Sequence, residues 1–501
     1  MAGNVELISD AFCRDLAFGT GGLRGTIGAG TNRMNIYTVR RASQGLSNCL
    51  KHGHSNPSVV LARDSRIKSE LFAKAAAGIV ITASHNPKKY NGYKVYDFDG
   101  CQITTKIAKA IQEKISLVDM FKDVKYMAAD SAFVSGMLEA VDSSIYDNYL
   151  SAVKAQSVLY GSDIDKNISI VYTPLNGTGL KPVTEVLKSS GYENVTVVES
   201  QADPDGEFPT CPKPNPEERS AMDEGLSNCR AVGADLLIAT DPDVDRCGIA
   251  VRSGSGEYVL LSANETGVLL FDYICSQRLQ HHTMPDYPVF MKTIVTTPLA
   301  EKIAKHYGVE VINTLTGFKF IGEKIGDLEV EGREEDFIFA FEESYGYFAG
   351  SYVRDKDRVL AAYLIAEMFC CYKTNHVSLP GRLQELYEQY GYTLDTQHSF
   401  KFGGPAGIEK MKKLMDGLRT EPMHDIAGQP VVTVEDYKDG LGNLPPSNVM
   451  KFQTKDYSLI IRPSGTEPKL KMYISVVAEN RAAAEMVDDQ IKSEIQELIY
   501  G

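Results

Sequence analysis

An α/β architecture of several domains is predicted from three features of the chain. Short apolar runs rich in β-branched residues alternate with helical patterns, the way parallel α/β units are written. No proline interrupts those runs, as buried central strands require. The length of 501 residues, at roughly 150 per domain, makes about three or four domains.

In chain order, strands are predicted at Val59 to Ala62, Gly78 to Thr82, Ile168 to Thr173, Asp235 to Thr240, Val289 to Thr297, Phe337 to Phe341 and Ser458 to Ile461. Helices between them include Ser69 to Ala77, Leu180 to Ser190 and Pro298 to Tyr307. The last carries its proline in the first turn, where a missing N–H costs nothing. Polar or glycine-rich interruptions near Leu159 to Asn167, Arg252 to Glu257 and Tyr390 to Phe402 divide the chain into segments 1–160, 161–256, 257–393 and 394–501.

Composition narrows the partners. With 52 basic and 66 acidic residues the formal charge is −14. There is no basic tail, which argues against nucleic acid or an anionic membrane as the main partner. Nine cysteines without C-x-x-C or metal-type spacing speak against a secreted disulfide framework and for a reducing cytoplasm. No apolar stretch approaches the roughly 18 residues of a membrane span, and Met1 to Gly30 lacks a basic segment followed by an apolar one. A soluble cytoplasmic protein is expected.

Four predicted strands run into polar loops: Ala83-Ser-His-Asn-Pro87, Asp241-Pro-Asp-Val-Asp-Arg246, Glu342-Glu-Ser-Tyr-Gly346 and Arg462-Pro-Ser-Gly-Thr-Glu-Pro468. Ligands of open α/β sheets bind beyond the carboxyl ends of strands, so these loops are expected to line one cleft. Asp241, Asp243 and Asp245 alternate in a way that lets three carboxylates converge on a hard cation, Mg²⁺ being the natural one. An EF-hand is excluded, because Arg246 and Arg252 stand where its glycine and bidentate glutamate belong. A solvated Asp/Pro turn is the bland alternative.

Ser84 follows an apolar strand, with Asn86-Pro87 forcing a turn that exposes its hydroxyl to act as nucleophile or phosphoryl carrier. An ordinary strand-end serine is the alternative, and no G-x-S-x-G elbow supports a hydrolase. Arg462 to Pro468 offers a guanidinium, hydroxyls and a glycine suited to a phosphate, or simply a turn between strands. Thr20-Gly-Gly-Leu-Arg-Gly25 is a second glycine-rich loop carrying an arginine. Glu342, Glu343 and Ser344 are equipped to bond sugar hydroxyls. Lys319 is a phosphate contact, a proton-transfer group or a surface lysine.

Together these loops resemble the α-D-phosphohexomutase family, the phosphoglucomutases and phosphomannomutases, in the family's own order and over most of the chain. Phe18-Gly19 and Thr314 to Ile321 look like its phosphoglucomutase and phosphopentomutase branch. The resemblance implies four domains around a central cleft, three α/β domains and a C-terminal TATA-binding-protein-like α+β domain. It implies a phosphoserine at Ser84 that donates to a hexose monophosphate and is restored from a bisphosphate intermediate, glucose 1,6-bisphosphate, which also serves as activator. Asp241, Asp243, Asp245 and a Ser84 phosphate oxygen would hold Mg²⁺. Arg24 would assist at that centre, with His85 or Lys319 moving the proton. Thr20, Arg246, Glu342 and Ser344 would contact substrate, and Arg462, Ser464, Gly465 and Thr466 the phosphate that is not reacting.

The implied reaction interconverts glucose 1-phosphate and glucose 6-phosphate. A phosphomannomutase or phosphopentomutase is the alternative, and a deletion variant that only binds sugar phosphate is the other class. Small-molecule sugar phosphates are the expected partners, and a monomer or weak dimer the expected state. One departure stands out: before Gly78 the family usually carries roughly thirty more residues, enough for the rest of a helix, a strand and a further helix. The crossover left, Ser65 to Ala77, is near the minimum of about a dozen residues. A first domain short of a strand, or strained, is therefore expected.

Overall fold

The computed structural model describes residues 5–19, 21–53, 55, 57–73, 79–402, 404–463 and 469–500. The first sheet contains β1 (Gly22–Thr26), β2 (Leu61–Arg63), β3 (Ile79–Ile81) and β4 (Tyr90–Val95), in spatial order β1-β4-β3-β2. The second contains β5 (Ile170–Thr173), β6 (Val195–Val197), β7 (Leu236–Thr240), β8 (Cys247–Arg252) and β9 (Tyr258–Leu261), in order β6-β5-β7-β8-β9. The third contains β10 (Val289–Thr293), β11 (Glu310–Thr314), β12 (Phe337–Glu342) and β13 (Gly346–Phe348), in order β11-β10-β12-β13.

The C-terminal unit differs. Its sheet is antiparallel throughout, in order β14-β20-β19-β18-β17, formed by β14 (Tyr392–Lys401), β17 (Thr433–Asp436), β18 (Met450–Gln453), β19 (Tyr457–Pro463) and β20 (Lys469–Ala478). A small hairpin of β15 (Asp425–Ile426) and β16 (Gln429–Pro430) lies beside it. The helix Arg481–Tyr500 packs on this sheet through Ile491, Ile495 and Ile499, spaced by four to present one apolar stripe. The fold is thus three α/β units followed by a sheet-rich α+β unit.

One pattern repeats in the first three sheets. β3, β7 and β12 each run into a candidate loop, each lies parallel to an earlier strand (β2, β5, β10) and each is followed by an antiparallel partner (β4, β8, β13). The difference lies outside that pattern. β5 and β10 are flanked by the further parallel strands β6 and β11, whereas β2 has no such neighbour among the described residues. Val60, just before β2, is 71% exposed. Among the described residues the first sheet therefore has no counterpart of β6 and β11, in keeping with the expectation of a first domain short of a strand.

β7 and β12 are buried at every position, which is why they read as continuous apolar runs. The second and third sheets share one core, where Phe271 and Phe290 stack with centroids 4.1 Å apart. The first and fourth sheets have separate cores. The helix Ala263–Gln280 begins with a capping box, Ser262 Oγ accepting from Glu265 N–H while the Glu265 carboxylate accepts from Ser262 N–H.

Several boundaries shift from the sequence reading. β2 starts at Leu61 rather than Val59, and β10 stops at Thr293, after which Thr296 N–H turns back to the Thr293 carbonyl. The helix expected from Ser69 to Ala77 is described as Ser69–Ala73, its remainder lying outside the described residues. A helix at Val5–Phe12 had no predicted counterpart. Among the described residues no helix is long and apolar enough to cross a membrane.

Candidate active site

Ser84 sits at the end of β3 with φ 53°, a left-handed conformation that non-glycine residues adopt rarely and that turns its side chain away from the strand. Thr82 holds this backbone: its hydroxyl accepts from Ser84 N–H at 2.8 Å and lies 2.7 Å from Asp64 Oδ2 and 3.0 Å from Asp243 Oδ2. Arg66 closes the loop from below, donating to the carbonyls of Ser84 and Pro87. Its Nε stands 3.2 Å from Asp64 Oδ2, with both side chains buried. Gly92 of β4 passes so close that a Cβ there would run into the Thr82 carbonyl, so only glycine fits.

The metal-type loop meets Ser84 from the second unit. Ser84 Oγ lies 2.7 Å from Asp241 Oδ2, 3.0 Å from Asp245 Oδ1 and 3.0 Å from His85 Nδ1. Asp241 Oδ1 accepts the Asp245 and Arg246 N–H groups at 2.8 and 2.9 Å, curling the loop around it. Thr178 N–H and hydroxyl both donate to the Pro242 carbonyl, and a Cβ on Gly177 would strike Pro242.

Asp241, Asp243 and Asp245 present oxygens that all lie within 4.8 Å of one another. Asp243 Oδ1 is buried and accepts no hydrogen bond among the described residues. Burial and the neighbouring Asp245 and Asp243 charges push the Asp241 carboxyl well above its ordinary range. An all-oxygen donor set with an orphaned oxygen and mutual repulsion fits a hard divalent cation.

Two lysines complete the electrostatics, and sequence reasoning missed both. Lys94 Nζ lies 3.0 Å from Asp243 and 3.1 Å from Asp245; Lys356 Nζ lies 3.3 Å from Asp245 and 3.5 Å from Glu342. Burial disfavours the Lys94 ammonium, but Asp243 and Asp245 outweigh it and hold its pKa well above the usual lysine value. Against its own burial, Asp245 is held below the carboxylate range by Lys356 and Lys94. His85 is pushed well below its ordinary value by burial, then by Arg246 and Arg24, and is neutral near pH 7.

The remaining candidates divide. Arg24, on β1, lies within electrostatic reach of His85 and Arg66. Arg246 is paired with Glu217 and lies 3.4 Å from Asn215 Oδ1. Ser344 donates to Glu342 at 2.8 Å, and Lys356 ties that loop to Asp245. Arg462 stands opposite Lys471 in the β19–β20 register and within reach of Glu343. Lys319 is held down to about 8 by burial, with Glu323 and Cys101 among its charged neighbours. Thr20, Ser464, Gly465 and Thr466 lie outside the described residues.

Asp64, Arg66, Thr82, Glu217, Lys94 and Lys356 are the polar residues that sequence reading passed over. The charged run Arg354-Asp-Lys-Asp-Arg358 next to an apolar helix was a usable signal for Lys356. Nothing local marks Lys94, which is one alternation of a strand away from Gly92.

A serine at a strand end, ringed by carboxylates and cations drawn from three α/β units, defines the phosphosugar mutase class of site. Comparison with known proteins agrees. Sequence models described as phosphoglucomutase/phosphomannomutase, alpha/beta/alpha domains I, II and III match residues 15–78 with 73–120, 147–254 and 262–390. A phosphoglucomutase of Staphylococcus haemolyticus is 33% identical over 98% of this chain and 94% of its own. A putative phosphomannomutase from Thermus thermophilus superposes with a TM-score of 0.70 at 19% identity, covering 97% of this chain and 100% of that one. An Aspergillus fumigatus N-acetylphosphoglucosamine mutase, solved in complex with GlcNAc-6P and magnesium, gives 0.56 at 13% identity over 97% and 96%.

The chain belongs to the phosphoglucomutase/phosphomannomutase family, the α-D-phosphohexomutases. It is an enzyme of the intramolecular phosphotransferase class. Domain I matches in two pieces that overlap at residues 73–78.

Proposed function

We propose that the protein interconverts glucose 1-phosphate and glucose 6-phosphate through a phosphoserine at Ser84. The observation that carries this reading is the buried Ser84 hydroxyl, 2.7 Å from Asp241 and 3.0 Å from both Asp245 and His85, in a backbone conformation built to present it. The glucose preference rests on the 33% identity with the staphylococcal phosphoglucomutase.

In the forward half-reaction the P–O bond to Ser84 breaks and a P–O bond forms to the free sugar hydroxyl, whose proton leaves to a base. The sugar is then a bisphosphate. After it reorients, its other phosphoryl group returns to Ser84, that sugar oxygen regains a proton, and the isomer departs. His85 is the best placed proton carrier, being neutral and 3.0 Å from Ser84 Oγ. Asp241, Asp243 and Asp245 would hold Mg²⁺, which supplies neutralisation of charge on the transferred group. Arg24, Arg246, Lys94 and Lys356 add fixed positive charge there. Glu342 and Ser344 read sugar hydroxyls, and Arg462 with Lys471 draws the second phosphate.

The test is a coupled assay of glucose 1-phosphate with Mg²⁺ and a trace of glucose 1,6-bisphosphate, beside mannose and ribose phosphates. Turnover on glucose 1-phosphate, with phosphoserine at Ser84 by mass spectrometry, is the expected result. Faster turnover on mannose or ribose phosphate would move the assignment within the family. Phosphate binding without turnover would make the short first sheet the cause of a binding-only protein.

A further inference from the structure

Glu217 pairs with Arg246, a residue that the mutase reading assigns to the substrate site. It lies on the loop before the helix Arg219–Val232 and is fixed by Asn215, a buried residue whose Nδ2 lies 3.3 Å from Glu217 Oε2 and whose Oδ1 accepts the Glu217 N–H. Its carboxylate takes the Arg246 guanidinium, leaving the buried Arg246 Nε without an acceptor among the described residues. The same carboxylate lies within electrostatic reach of Lys471, which is also close to Arg462 and Arg246. Glu217 is thus in contact with Arg246 of the second unit and within electrostatic reach of Lys471 of the fourth, which in turn lies near Arg462. Of the other carboxylates near these cations, Glu343 is turned to the Thr293 hydroxyl at 3.0 Å, while Asp245, Asp241 and Glu342 lie within electrostatic reach of Arg246.

A cluster of cations is suited to a dianionic phosphate. Here it already carries an anion of its own, attached to the protein. We propose that Glu217 is a resident stand-in for a substrate phosphate: it orders Arg246 by pairing with it and competes for the same guanidinium when phosphate arrives. The inference deepens the mutase reading and rests on it. Its chemical sense lies in the bisphosphate intermediate, which must release one end and turn without leaving. A carboxylate that retakes Arg246 weakens the hold on phosphate at that moment. Glu217 is accordingly a positioning residue, acting through Arg246.

The experiment titrates inorganic phosphate into the full-length protein by calorimetry and measures KM and kcat for glucose 1-phosphate, in wild type, Glu217→Gln and Glu217→Asp. Removing one like charge at this range is worth about a five- to tenfold change in anion affinity. The expected result is that Glu217→Gln binds phosphate that much more tightly, with KM and kcat both lowered. Glu217→Asp, which keeps the charge, stays near wild type. A residue that merely buttressed Arg246 would give the opposite split, weaker phosphate binding and a raised KM in Glu217→Gln, and that result would overturn the inference, as would unchanged affinity. The two readings fail separately: absent turnover in the wild type strikes the mutase assignment, while the phosphate titration tests Glu217 whether or not the sugar turns over.

Discussion

Replacing Arg66 by Met asks how much of the Ser84 loop depends on one buried cation. The substitution keeps much of the side-chain volume and removes the ion pair with Asp64, the bonds to the Ser84 and Pro87 carbonyls, and a guanidinium 5.1 Å from the Phe208 ring. Breaking a buried pair by deleting one partner costs about 3–5 kcal/mol. The lower end applies, because Asp64 keeps the Thr82 hydroxyl at 2.7 Å, the Ser69 hydroxyl at 2.9 Å and the residue 66 N–H at 3.0 Å. The chain has no tryptophan and several units, so a single unfolding curve is a poor ruler. Hydrogen exchange of peptides spanning residues 79–95 reads the loop directly, and a cost of about 3 kcal/mol appears as roughly 150-fold faster exchange if opening is local. In a cycle with Asp64→Asn, the double variant should recover about 2 kcal/mol relative to the sum of the singles, since it leaves no unpaired charge. Additive effects, or exchange unchanged in Arg66→Met, would refute the pairing as the support of the loop.

Other outcomes follow from the same geometry. Ser84→Ala should abolish turnover while leaving the circular dichroism spectrum and melting midpoint near wild type; retained turnover would remove the phosphoserine. Asp243→Asn should raise the Mg²⁺ concentration needed for half-maximal rate by roughly tenfold or more, because the orphaned Oδ1 loses its charge. Gly177→Ala should cost activity and about 1–3 kcal/mol of stability, the new Cβ pressing on Pro242 and displacing the Asp loop. Burial and the neighbouring Glu342 push Glu343 up to about 7. The folded chain therefore holds a proton between about pH 4.5 and 7 that the unfolded chain has released, and stability falls as pH rises through that window. Glu343→Gln should flatten this fall, as hydrogen exchange of peptides spanning residues 337–348, corrected for the intrinsic pH dependence of exchange, would show at about pH 5.5, 6.5 and 7.5; an equally steep fall would place the titration elsewhere.

The parts of the site legible in the sequence were those whose chemistry is local. An Asp at alternate positions, or a serine between a strand and Asn-Pro, declares itself because the residues that act together are close in the chain. What was not legible were the long-range partners outside those loops: Lys94 reaches Asp243 across 149 residues and Ser157 reaches Glu367 across 210. No periodicity encodes such pairs, since they depend on how units are set against one another. The same reason explains the boundaries. The apolar run Val289 to Thr297 reads as one strand, yet β10 ends at Thr293 because the Thr293 and Thr296 hydroxyls meet at 2.9 Å in a turn facing Glu343. Hydrophobic pattern records burial, and that turn is as buried as the strand before it.

The short first sheet bears on activity through what it leaves untouched. A further parallel strand, which β2 lacks among the described residues, would lie on its far side from β3, and β3 is the strand that delivers Ser84. Between that edge and the serine stands the Asp64, Arg66 and Thr82 network, which begins at the end of β2 and holds the Ser84 backbone by hydrogen bonds rather than by packing. Strand β4 and the metal-type loop hold it from the opposite side, through Gly92 and Asp243. Loss of an edge strand removes apolar area and exposes one row of backbone groups, a cost in stability. It does not remove a hydrogen bond to Ser84. The first unit should therefore open more readily than the second and third, which share one core, while the folded state keeps the serine in register with its carboxylates. Exchange rates for residues 61–63 well above those for residues 170–173, alongside full occupancy of the phosphoserine, would be the signature of that separation; fast exchange with an unphosphorylated serine would mean that the edge and the site fail together.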